Sequence, residues 1–254
     1  EAFCWRVGAA TLKSCCRGPT LRLSAWRRCP VNKPGEVILG PLRLEAHSRG
    51  GLLVWAHPEA DSDYIVASDT AGGGAHGDFS VAVVIEAETC DLVAAWRERA
   101  DSHIWGQKCA RLASYYNTAM LAFETQPSTH GLAAAESAIN FGYTRMYRNR
   151  RQDTYTKVWT ESIGFHTHAG TKPLIIDRIK MQRDAGSVIP WEDLLIELKH
   201  QQWDDRTATN VPKMVSKGHD DCVMAYGIAL RVRDDCYRRK LIKEETTEPR
   251  TISE

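Results

Sequence analysis

Four carboxylates stand where a sequence can do chemistry with them: Asp69, Glu124 and the adjacent pair Asp220 and Asp221. Asp69 closes the apolar run Ile65, Val66, Ala67. It precedes a glycine-dense loop (Gly72, Gly73, Gly74, Gly77) that ends on Asp78. Glu124 closes a second short apolar run that begins at Met120. Asp220 and Asp221 open a stretch whose apolar residues Val223, Met224, Ala225, Ile228, Ala229 and Val232 share one helical face. Hard divalent cations such as Mg²⁺ or Mn²⁺ take carboxylate oxygens in near-octahedral array. Two such ions about 3.5–4 Å apart can clamp an in-line phosphodiester displacement, one activating water and the other stabilising the leaving oxygen. That centre needs three or four acids converging from separate elements. Asp69, Glu124 and Asp221 (or Asp220) are the core candidates and Asp78 is a fourth. His219 stands where it can orient a water or protonate the leaving group.

Each acid also has a plainer reading. An Asp before glycines commonly bonds its own backbone in a turn, and an acid pair at a helix start commonly caps it. The Asp69 loop also has the letters of a phosphate-cradling loop of the actin or sugar-kinase type, although no second loop of that kind follows. Only the elements that carry the acids can decide among these readings.

Those elements are legible. Tyr64–Ser68, Ser80–Glu86 and Leu92–Arg97 read as a three-strand meander. A helix is expected over His103–Asn117, then a short buried strand over Met120–Glu124 and an alanine-rich helix over Leu132–Asn140. A fifth strand is expected at Thr144–Tyr147, and helices follow at Lys172–Asp184 and Trp191–Gln202. Meander, helix, strand, helix, strand is the order of the ribonuclease-H-like fold: a mixed five-stranded α/β sheet, antiparallel meander plus parallel strands, flanked by helices. There the crossover helices lay the later strands parallel to the first. The order sets the ends of strands one and four side by side, so Asp69 and Glu124 should face each other.

Arg145, Arg148, Arg150, Arg151 and Lys157 are interleaved with Tyr143, Tyr147, Tyr155 and Trp159. Cations with aromatic neighbours suit a phosphate-tracking surface; a solvated hairpin with long cationic side chains is the plainer alternative. Lys172 joins the DNA-binding candidates. Global charge gives such contacts no help, because 33 Lys and Arg against 32 Asp and Glu leave +1.

The chain has 254 residues, room for one large domain or one domain with an appendage. Residues 1–51 read as a linker or the tail of a preceding domain, residues 52–240 as the ordered domain, and residues 241–254 as a polar tail. The eight cysteines contain no CxxC pair. Cys15, Cys16, Cys29 and His47 fit no standard zinc spacing. No apolar run is long enough to cross a membrane. With no initiator Met and no signal-peptide pattern, the chain is expected to be a piece of a longer polypeptide that keeps its thiols reduced in a cytoplasm.

DTAGGGAHGDFS, FETQPSTHG and KGHDDCVMAYGIAL together resemble the nuclease domain of phage large terminase subunits, and THAGTKPLIIDRIK is similar to the family's Thr-Lys pair before a helix. The resemblance covers about residues 52–235. It implies that Asp69, Glu124 and one of Asp220 and Asp221 are the metal-binding acids, with Asp78 and His219 close to them. It implies a metal-dependent endonuclease that cuts concatemeric double-stranded viral DNA, working with a portal protein and a small terminase subunit in the host cytoplasm. Gln126 and Pro127 follow Glu124, where an Asn-rich turn is usual. No GxxxxGK phosphate loop is present, so ATP turnover is not expected. A resolvase-type nuclease of the same fold, or a non-catalytic DNA-binding or packaging module, is the alternative.

Overall fold

The computed structural model describes residues 20–23, 44–46, 50–73, 78–126, 129–153, 155–168, 170–187, 189–204, 213–216 and 219–247. Cys15, Cys16, Cys29, His47, Gly74, Gly77 and Pro127 lie outside the described residues.

In chain order the elements are β1 (Thr20–Leu23), β2 (Leu44–Ala46), β3 (Leu52–Val54), β4 (Tyr64–Asp69), β5 (Ser80–Glu86), β6 (Leu92–Glu98), α1 (Ser102–Tyr115), β7 (Met120–Gln126) and α2 (Thr129–Asn140). They continue with β8 (Arg148–Gln152), β9 (Trp159–Ile163), β10 (Phe165–His166), α3 (Lys172–Asp184), α4 (Glu192–His200), β11 (Gln201–Asp204), β12 (Lys213–Ser216) and α5 (Asp221–Thr247). One sheet has the order β10-β7-β4-β5-β6-β3-β1-β2. β4, β5 and β6 are the antiparallel meander. β7 lies parallel to β4, with Ser68 opposite Phe123, and β10 lies parallel to β7. The five strands β6-β5-β4-β7-β10 are the ribonuclease-H-like core.

The side chains of the central strands alternate between two apolar layers, as the pleat dictates. Ile65, Ala67, Val81, Val83, Ile85 and Ala122 face Ile175, Ile179, Leu194 and the buried face of α5. Tyr64, Val66, Ala82, Val84, Leu121 and Phe123 face Trp105, Leu112, Ala113 and Ala134 of α1 and α2. A Cβ on Gly227 would fall 2.2 Å from Ile175 Cγ2, so glycine is what lets α5 lie close against α3.

One expectation changes. The fifth core strand is not Thr144–Tyr147, where only Met146 bridges Leu121. Phe165–His166 takes that place instead, because Gly164 (φ +79°) turns the chain back beside Phe123 and Thr125, where a side chain would clash. Within residues 1–51, β1 and β2 extend the sheet beyond β3. The last helix runs on to Thr247. No described helix is long and apolar enough to cross a membrane.

Candidate metal and catalytic centre

β4 ends on Asp69, and the parallel register puts Glu124 of β7 beside it. The two carboxyl groups share a hydrogen bond. Burial, then the Glu124 charge, drives the Asp69 carboxyl well above the usual carboxylate range; Asp221 and Asp220 add to the rise. Burial also raises Glu124, but the Thr167 hydroxyl, the Asp69 hydrogen bond and the Lys172 ammonium oppose the rise. The two carboxyls titrate as a coupled pair, both held above the usual carboxylate range.

The third acidic position comes from the start of α5. Asp220 immediately precedes the helix, and its carbonyl accepts the Met224 N–H at 2.8 Å. Its carboxylate is ion-paired at 2.8 Å with Lys172 Nζ, from the first turn of α3. Asp221 is the first helical residue, and its Oδ2 is buried without a hydrogen-bond partner among the described residues. Burial first, and then the Glu197 charge, raises Asp221 to about 6. His219 stands between the flanking acids, its Nδ1 3.6 Å from Asp78 and 4.0 Å from Asp221. Asp78 and His219 are both largely exposed at the rim. Behind Asp69, Gly73 takes φ +73°, and a Cβ there would meet the Ala100 carbonyl at 2.8 Å.

Asp69, Glu124, Asp220 and Asp221 are thus gathered from two strands and a helix start: Asp69 feels the other three, and Asp220 acts on both Glu124 and Asp221. Among the described residues, no three of His, Cys, Asp and Glu already converge in ligating geometry. The reason is visible in the pairings: Asp69 is bonded to Glu124, and Asp220 is turned onto Lys172. A cation there would favour the charged forms of Asp69 and Glu124 and compete with Lys172 for Asp220. The donor set fits a hard divalent cation, since it is all carboxylate oxygen and includes the orphaned Asp221 Oδ2.

The basic candidates divide. Arg145 does not join the site: it hydrogen-bonds the Thr118 carbonyl and pairs with Asp63 at 3.1 Å, at the opening end of β4. That is roughly 20 Å from Asp69 at strand rise. Arg148, Arg150, Arg151 and Lys157 belong to the β8–β9 hairpin. Arg148 bridges Gly164, level with Glu124, and the hairpin runs roughly 13 Å on past the acid end of the sheet. Arg150 pairs with Glu161 at 2.8 Å and lies over the Trp159 ring, while Tyr155 at the turn is 94% exposed. Lys172 is not on the hairpin; it is the counter-ion of Asp220.

Two residues near the acids escaped the sequence reading. Thr167 follows β10 and lies near enough to Glu124 to lower its pKa, while its Oγ1 is buried with no hydrogen-bond partner among the described residues. Glu197 of α4 accepts the Cys222 and Val223 N–H groups. The only sequence signal for Glu197 is an acid between Leu194 and Leu198, on the face of α4 that is buried.

No family model and no curated protein matches the sequence. Among solved structures the fold is that of phage large terminase nuclease domains. The large terminase nuclease of thermophilic phage G20c with bound magnesium superposes with a TM-score of 0.57 at 21% identity. The match spans 73% of this chain and 89% of that one. The cobalt-bound form of that nuclease gives the same values. The Thermus phage P74-26 large terminase nuclease domain gives 0.54 at 22% identity, over 72% and 86%. The likeness is one of fold.

Proposed function

We propose that this chain is the metal-dependent endonuclease of a viral DNA-packaging terminase, cutting concatemeric double-stranded DNA by a two-metal mechanism. The observation that carries the reading is the meeting of Asp69 and Glu124 with Asp220 and Asp221 at one end of a ribonuclease-H-like sheet. The names of the fold neighbours support it, since they are terminase nucleases and include magnesium- and cobalt-bound forms. Residues 52–240 are the nuclease domain on this reading, with no ATP turnover of their own. The portal protein, the small terminase subunit and a host-cytoplasmic setting come with the same proposal.

Asp69, Glu124 and Asp221 would hold Mg²⁺ or Mn²⁺, with Asp220 and Asp78 beside them. Bound there, the cations would supply an activated water and stabilise the leaving oxygen. The chain's own residues do the remaining work. Asp69 and Glu124 would both face a bound cation as charged carboxylates, offsetting the burial and repulsion that raise them. Lys172, freed from Asp220, carries its ammonium toward the scissile phosphate. His219, exposed between Asp78 and Asp221, is placed to pass a proton to the departing oxygen. Arg148, Arg150, Arg151 and Lys157 hold the backbone of the duplex along the hairpin.

Supercoiled plasmid incubated with Mn²⁺ or Mg²⁺ tests the activity. Nicking and linearisation are expected, and both should vanish with EDTA and in Asp69→Ala. Intact plasmid with every metal, from protein shown to be folded, would reject the nuclease and favour a non-catalytic packaging module.

A further inference from the structure

The first amides of a helix have no partners within it and are usually capped by the residue just before the helix. In α5 that residue is Asp220, whose side chain is engaged by Lys172 instead. The cap comes from another helix. Glu197 of α4 sends Oε2 to the Cys222 N–H at 2.8 Å and the Val223 N–H at 3.3 Å. Glu197 is only 6% exposed, and its Oε1 is buried with no partner among the described residues. A buried carboxylate is a costly way to cap a helix when Ser or Asp at the N-cap would serve. The cost makes sense if the placement of the first turn matters. That turn carries Asp221, and Asp220 directly adjoins it. A lateral acceptor also fixes something an N-cap side chain does not, namely the position of the turn relative to a second, independently packed helix. α4 is anchored for this by Leu194 and Leu198 in the core, and Arg97 of β6 lies close enough to stabilise the charged form of Glu197.

We infer that Glu197 is a positioning residue: by gripping the first turn of α5 from α4, it sets where Asp220 and Asp221 stand relative to Asp69 and Glu124. The consequence for metal binding rests on the proposed nuclease reading; the grip on the helix does not. Glu197→Gln keeps an oxygen acceptor of the same reach, whereas Glu197→Ala removes it.

Wild type and both variants are compared well below the melting temperature of the least stable. Amide hydrogen exchange at Cys222 and Val223 in EDTA reads the grip, and calorimetric Mn²⁺ titration reads the acids. Glu197→Ala should exchange at least about tenfold faster at both amides and bind Mn²⁺ at least about tenfold more weakly, with Glu197→Gln within about threefold of wild type on both. Wild-type protection in Glu197→Ala overturns the inference. So does faster exchange with unchanged Mn²⁺ affinity, or a Gln variant as impaired as Ala. If wild type binds no Mn²⁺ while exchange still follows the acceptor at position 197, the grip stands and the nuclease reading falls.

Discussion

Asp69 and Glu124 stand side by side on the parallel strands β4 and β7, and burial holds both carboxyls above the usual carboxylate range. Burial and mutual repulsion make a second charge there costly without a cation. Asp69→Asn keeps the hydrogen-bond donor and removes the repulsion. In EDTA at pH 8, differential scanning calorimetry should show this variant melting above wild type. Its plasmid cleavage should fall on the order of a thousandfold or more. A variant that melts below wild type would mean that Asp69 holds the fold together.

The pH dependence follows from Asp221, raised from 3.8 to about 6 by burial and by Glu197. A carboxyl whose folded value is raised stabilises the protein fully below its unfolded value. That contribution is lost as pH climbs to the folded value. In EDTA, stability should therefore decline between about pH 4 and pH 6, by on the order of 3 kcal/mol from this group. Asp69, raised chiefly by burial, adds to the same decline. Urea midpoints measured across pH 4–7 should show a flatter profile for Asp221→Asn, and an unchanged profile would contradict the assignment.

Lys172 holds Asp220 at 2.8 Å and so competes with any cation the acids would take. Lys172→Ala should bind Mn²⁺ several-fold more tightly and yet cut at least about tenfold more slowly at saturating metal. This opposite movement of affinity and rate separates a working lysine from a structural ion pair. Weaker metal binding together with slower cutting would indicate that Lys172 only props the acids in place.

On the hairpin, Arg150, Arg151 and Lys157 are exposed beyond the acid end of the sheet, whereas Arg145 is tied to Asp63 at the far end. Alanine at Arg151 or Lys157 should weaken duplex binding and reduce the salt slope by about one for each lost phosphate contact. Arg145→Ala should leave both unchanged. Fluorescence anisotropy with a labelled duplex across a salt series distinguishes the two groups.

The meander, both crossover helices and the pairing of Asp69 with Glu124 were legible because short apolar runs punctuated by turn residues fix strand order. The parallel register follows from that order. What was hidden depends on pairings distant in sequence. Arg145 reads as part of an arginine cluster, but the chain between Arg145 and Arg148 passes along β7, so their side chains end far apart. The true edge strand is only Phe165–His166, too short to carry a pattern, and a glycine with positive φ places it. Glu197 looks like one more surface acid until α5 packs on α4 and its amides find the carboxylate. Lys172 likewise reads as a free cation, and only the fold brings Asp220 to it.

The central claim is that these carboxylates form a divalent-metal centre, and anomalous diffraction from crystals soaked in Mn²⁺ tests it most directly. The account predicts manganese peaks bounded by Asp69, Glu124 and Asp221, with Lys172 withdrawn from Asp220 and no peak in Asp69→Ala crystals. Well-ordered soaked crystals with no manganese among these acids, and the Lys172–Asp220 pair intact, would contradict it.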